Sequence, residues 1–169
     1  MLLFFARRRA IGDAMRWVWT LWMLAACLAA AVSAEAATGR VIKVLPEFLD
    51  LQGRNSLTPS LYERDAYQVK LRDHPKERSG MCFYVNWKTK GAVWEPLVVR
   101  LEVRGTAQGK LPENLVLEQL VENRGGWFSH WTEITLKGEA YKKMGSVTAW
   151  RVTLWEGRQL LGEQKSFLW

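Results

Sequence analysis

The chain has 169 residues, a formal charge of +7, 49% hydrophobic residues and ten tryptophans. That length suits one domain whose core holds without disulfide support, and two cysteines are too few for a disulfide scaffold. The basic and acidic residues are interspersed instead of forming a basic stripe, which argues against a nucleic-acid partner.

The first segment reads as a leader. Arg7-Arg8-Arg9 and Arg16 precede an apolar run from Trp17 to Val32, and Ser33-Ala34-Glu35-Ala36 supplies small residues after it. A basic start, a short apolar middle and a small-residue end make residues 1–36 a signal peptide, cleaved after Ala34 or Ala36. Export to the periplasm or the outside follows, with no stable membrane span once the leader is removed. Leu24-Ala25-Ala26-Cys27 leaves a lipid anchor through Cys27 as the alternative. Met15, just before Arg16, could itself start a compact leader in place of Met1. The leader holds four of the 24 basic and two of the 17 acidic residues, so residues 37–169 carry a formal +5. One cysteine, Cys82, remains there, and it reads as a small buried residue, with an intermolecular disulfide as the alternative.

In chain order, Arg40–Leu45 is a first strand that Pro46 is expected to break, with Phe48–Leu51 a second short extended piece. Gly53-Arg54-Asn55-Ser56 is a turn. Thr58 as N-cap and Pro59 at the first helical position then open a helix over about 59–73. Tyr62, Ala66 and Val69 make its apolar stripe, and Pro75 ends it. Met81, Phe83, Val85 and Trp87 alternate with Cys82, Tyr84, Asn86 and Lys88, the period of a half-buried strand. Leu97, Val99, Leu101 and Val103 repeat that pattern. Leu115–Glu122 and Trp127–Lys137 are further strands, and Gly138–Gly145 reads as a connection. Val147–Trp155 and Gln159–Leu168 form a terminal hairpin around Glu156-Gly157, expected to be central to the core, with its Phe-Leu-Trp end held down.

These segments predict a mainly β chain: residues 37–169 as a single antiparallel β-sandwich with one inserted helix. Trp87 in an early strand, Tyr141 ahead of Trp150, and the hairpin Trp155-Glu156-Gly157-Arg158 resemble bacterial immunoglobulin-like or fibronectin type III-like modules over roughly 39–169. The resemblance implies that Tyr141 staples a strand corner. The stretch from Leu45 to Gln68 is similar to secreted bacterial proteins of no assigned activity, and a fold likeness transfers no function.

Chemistry-bearing patterns are sparse. The two histidines, His74 and His130, stand 56 positions apart without a metal-binding motif, so no metal and no cofactor are expected. Ser79-Gly80 and Gly145-Ser146 do not make a nucleophile elbow, and Arg124-Gly125-Gly126 is no phosphate loop. No carboxylate pair stands out. The chain therefore reads as a non-catalytic binding or assembly module of the bacterial envelope, acting on an envelope protein. The alternative is a carbohydrate-binding module using exposed tryptophans. The candidate surface is Trp127, Ser129 and Trp131, all on the outward side of one strand, with the two indoles ~13 Å apart. Either they form a platform, or the helix covers them through Tyr62, Ala66 and Val69.

Overall fold

The computed structural model describes residues 37–106, 113–122 and 128–169. The signal peptide expected over residues 1–36, with Cys27 and the choice of Met1 or Met15, lies outside the described residues, as does Trp127.

Seven strands are described: β1 (Thr38–Asp50), β2 (Arg78–Lys90), β3 (Leu97–Thr106), β4 (Glu113–Val121), β5 (His130–Lys137), β6 (Ser146–Glu156) and β7 (Gln159–Lys165). Two helices accompany them, α1 (Leu61–Asp73) and α2 (Gly138–Met144). The strands build two antiparallel sheets, ordered β1-β2-β5 and β4-β3-β6-β7. The alternation of β2 and β3 dictates how the sheets face each other. Met81, Phe83, Val85 and Trp87 from one meet Leu97, Val99, Leu101 and Val103 from the other in one core. Ile134 and Leu136 of β5, and Val152 and Leu154 of β6, complete it. The protein is thus a mainly β, sandwich-like fold. Among the described residues no helix is long and apolar enough to cross a membrane.

Several local expectations are corrected. Pro46 does not break β1, which runs unbroken to Asp50 with a bulge between Val41 and Lys43. β1 is the outer strand of its sheet. The Phe48 N–H donates to the Gln68 side chain and so points away from β2. Pro46, two residues earlier, turns its nitrogen the same way, where the ladder loses nothing.

The helix begins at Leu61 with Ser60 as its cap, two residues later than expected. Thr58 instead donates its hydroxyl to the Glu63 carboxylate. The expected stripe is wrong: Tyr62, Ala66 and Val69 are exposed. The docked face is Arg64, Tyr67, Gln68 and Leu71, the same helical spacing shifted by two positions and mostly polar. Gln68 receives the Phe48 N–H at 2.7 Å and donates to the Phe48 carbonyl at 2.9 Å and the Asn55 carbonyl at 2.8 Å. The Tyr67 hydroxyl donates to Asp50 at 2.8 Å. Only Leu71 is fully buried. The helix therefore covers the Phe48–Asp50 end of the β1 edge, a common way to blunt an exposed strand.

Gly138–Met144 is a second short helix where a connection was expected, so the fold has two short helices and not one. Gly138 and Gly145 bracket it at positive φ, and Met144 plugs the core. Tyr141 rides on this helix and packs on the core instead of stapling a strand corner.

The terminal hairpin is only half central. β6 lies inside its sheet, but β7 is an edge and ends at Lys165. Phe167 and Leu168 are exposed, against expectation. Trp169 alone is held, its ring beneath the guanidinium groups of Arg104 at 3.9 Å and Arg151 at 5.0 Å.

Candidate functional site

The start of β5 carries the site. Its alternation is as expected: Thr132, Ile134 and Leu136 face the core, while Trp131, Glu133, Thr135 and Lys137 face out. In a regular strand Phe128 alternates with Trp127 and Ser129 onto the core side. Here it lies ahead of the strand and is exposed, because pairing with β2 begins only at His130, opposite Trp87. Trp131 is 55% exposed. The covering role given to α1 is therefore excluded for Trp131. That helix is committed to Phe48 and Asp50 of β1, whereas Trp131 pairs with Asn86 on the far side of β2.

Hydrogen bonds fix the backbone around Trp131. The Asn86 amide nitrogen lies 3.2 Å from the Ser129 hydroxyl and 3.4 Å from the His130 carbonyl, and donates to both. Ser129 is itself exposed. On the core side the Trp87 indole N–H donates to the Thr132 hydroxyl at 2.8 Å. The Trp87 and His130 rings lie 5.1 Å apart, tilted by 42°. His130 is thereby accounted for as a half-buried packing partner of Trp87. His74 ends α1, with its backbone N–H and its Nδ1 both directed at the Lys70 carbonyl.

Trp131 borders a groove of about 710 Å³ between the free edges of β5 and β4. Gln119, Leu120, Val121 and Glu122 form one wall, Ser129 to Glu133 the other, with Trp87 at the base. Leu120 is 73% exposed on the β4 side. Among the described residues two edge strands thus border one concave strip, with Leu120 and Trp131 exposed on the outward faces of the two opposite sheets that flank it. The β4 residues were missed in the sequence because nothing in the chain announces that β4 and β5 end up as neighbouring edges of opposite sheets.

Among the described residues no three His, Cys, Asp or Glu side chains gather in a metal-binding arrangement. On the outward face of β2, against Thr135, burial pushes the Cys82 thiol up, with a smaller opposing pull from the Thr135 and Tyr84 hydroxyls. Burial likewise raises the neighbouring Tyr84 phenol, with the nearby Cys82 adding to it. At 3% exposure Cys82 is out of reach of a partner's thiol, which removes the intermolecular disulfide for the folded protein.

The fold is similar to that of a crystal structure of a protein from Akkermansia muciniphila. The TM-score is 0.52 at 13% identity, over 80% of this chain and 74% of that one. At this identity the likeness speaks for the fold alone. The chain matches no protein-family model and no curated protein.

Proposed function

We propose that this chain is an exported, non-catalytic binding or assembly module of the bacterial envelope, engaging a partner protein along the free edges of β4 and β5. One observation carries the reading. Trp131 and Leu120 stand exposed on either side of a groove whose two walls are unpaired strand edges. An extended partner segment can add to such an edge through main-chain hydrogen bonds, while pockets for alternate side chains supply specificity. Export rests on the basic, apolar and small-residue blocks of residues 1–36.

An immunoglobulin-like or fibronectin type III-like sandwich belongs to the same proposal. The constant-type immunoglobulin arrangement puts its first, second, fifth and fourth strands in one sheet and its third, sixth and seventh in the other. Here the fourth strand pairs with the third and the remaining order is kept, which supports a variant of that topology.

A carbohydrate ligand is the second reading. It is favoured by the Trp131 ring standing beside Ser129, His130 and Glu133, a flat face next to hydrogen-bonding groups. Photo-crosslinking from position 133 in the native cells, with position 163 as the control, separates the two. A discrete protein adduct at 133 alone, lost when Trp131→Ala is added, is the expected result. Glycan-array binding lost in Trp131→Ala, with no protein adduct, would replace the protein partner by a sugar.

A further inference from the structure

The other end of β5 opens on a second cavity, of about 830 Å³, within the range of small-ligand pockets. Six positions along an extended strand separate Lys137 from Trp131, roughly 20 Å, so the two concavities are distinct. Their charges are opposite. Among the described residues the groove at Trp131 is lined by Glu122 and Glu133 and by no lysine or arginine. Among the described residues the second cavity is lined by Arg78, Lys137 and Lys142 and by no aspartate or glutamate.

These cations are poorly compensated. The Arg78 guanidinium donates to the carbonyls of Leu71 and Arg72 and stacks over the Phe48 ring at 4.0 Å, so it is held in place without meeting a carboxylate. Lys137 ends β5 and is exposed. Lys142 meets Glu139 at 2.9 Å, but both side chains are largely in water, where such a pair is worth little. Elsewhere several arginines meet carboxylates, Arg54 with Asp50, Arg100 with Glu118 and Arg151 with Glu102, while Arg104 lies over the Trp169 ring. A cleft lined by one sign of charge focuses its field on a ligand of the other sign. The remaining wall sets apolar Leu51, Pro75 and the half-buried Tyr141 beside polar Gln52, Ser79 and Ser146.

From this arrangement we propose that the cavity between the start of α2 and the Leu51–Gly53 turn binds a small organic anion, a carboxylate or phosphate carried on a compact body such as a sugar ring. Lys137, Lys142 and Arg78 meet the anionic group, and Tyr141 with Leu51 and Pro75 meets the ring. A free sugar acid and the terminal unit of an acidic polysaccharide share this chemistry.

Titration calorimetry of the purified protein at low ionic strength tests it, with glucose 6-phosphate, galacturonate, oligogalacturonate and neutral glucose as probes. The anions are expected to bind saturably and glucose not at all. Binding should weaken with added salt, and about tenfold or more in the Lys137→Gln, Lys142→Gln double variant. Both lysines are exposed, so that variant should keep its melting temperature. Trp131→Ala should bind the anions as before, which separates this site from the groove. Tighter binding of the oligomer than of galacturonate would identify a polymer end as the source, and equal binding a free sugar. No saturable binding of any anion, equal binding of glucose, or unchanged binding by the double variant overturns the proposal.

Discussion

Trp131 and Trp87 are both tryptophans at the same end of the three-stranded sheet, and they differ in what holds them. Trp87 is 2% exposed, fills the core and spends its N–H on Thr132. Its truncation to alanine should cost about 3–5 kcal/mol. Trp131→Ala should change stability by no more than about 0.5 kcal/mol, as expected for a surface position. Thermal melts of the two variants check this, and a large loss in Trp131→Ala would mean that the indole is packed. Alternation along β5 made the outward direction of Trp131 legible in the sequence. Its freedom from a cover was not, because that depends on where α1 docks.

Asp50 gives a residue-scale prediction with a pH signature. Burial by itself would raise its carboxyl. The Arg54 backbone N–H, the Tyr67 hydroxyl, the Arg54 side chain and the Gln52 N–H outweigh burial together and hold it below the usual 3.8. A carboxyl depressed in the folded state contributes stability that is complete above its unfolded value and lost as pH falls through its folded value. Asp50→Asn should therefore cost about 1–3 kcal/mol near neutral pH. The gap to the parent protein should narrow below about pH 4. Urea melts at about pH 7 and about pH 3 measure it; a gap that stays constant would show that ionised Asp50 contributes nothing.

At the scale of elements, α1 is the instructive case. Its existence was legible from Pro59, Pro75 and the composition between them, but its docked face was not. Apolar periodicity pointed to Tyr62, Ala66 and Val69, while the helix binds β1 by side-chain hydrogen bonds from Gln68 and Tyr67. A polar face carries no hydrophobic signal. The second helix was hidden for a related reason, since six residues between two glycines look like a loop. Gln68→Ala should leave the Phe48 N–H and carbonyl without their partner and destabilise the protein by about 1–3 kcal/mol. Amide exchange at Phe48 should accelerate in that variant. Unchanged exchange there would show that the edge of β1 is protected by something other than Gln68.

Over the described residues the two-sheet unit is closed along one pair of edges and open along the other. Along the β1 and β7 edges the sheets meet backbone to backbone. A Cβ on Gly162 would lie 2.9 Å from the Gly39 carbonyl oxygen, and one on Gly39 would lie 2.7 Å from the Leu161 Cβ. Gly162→Ala should therefore force the seam apart and cost about 1–3 kcal/mol, read as a fall in the urea midpoint. A neutral outcome would show that the seam yields freely. On the other side, β4 and β5 keep their edges apart and leave the groove between them. Strand count and turns were readable from residue patterns. Which edges meet was not, because sheet order depends on contacts far apart in the chain. The assignment of the groove as a docking strip is tested most directly by hydrogen exchange on the complex with the partner captured at position 133. Protection of the outward-pointing amides of β5, or of β4, with the β1 and β7 edges unchanged, is the expected result. Protection confined to other strands, with β4 and β5 exchanging as in the free protein, would contradict it.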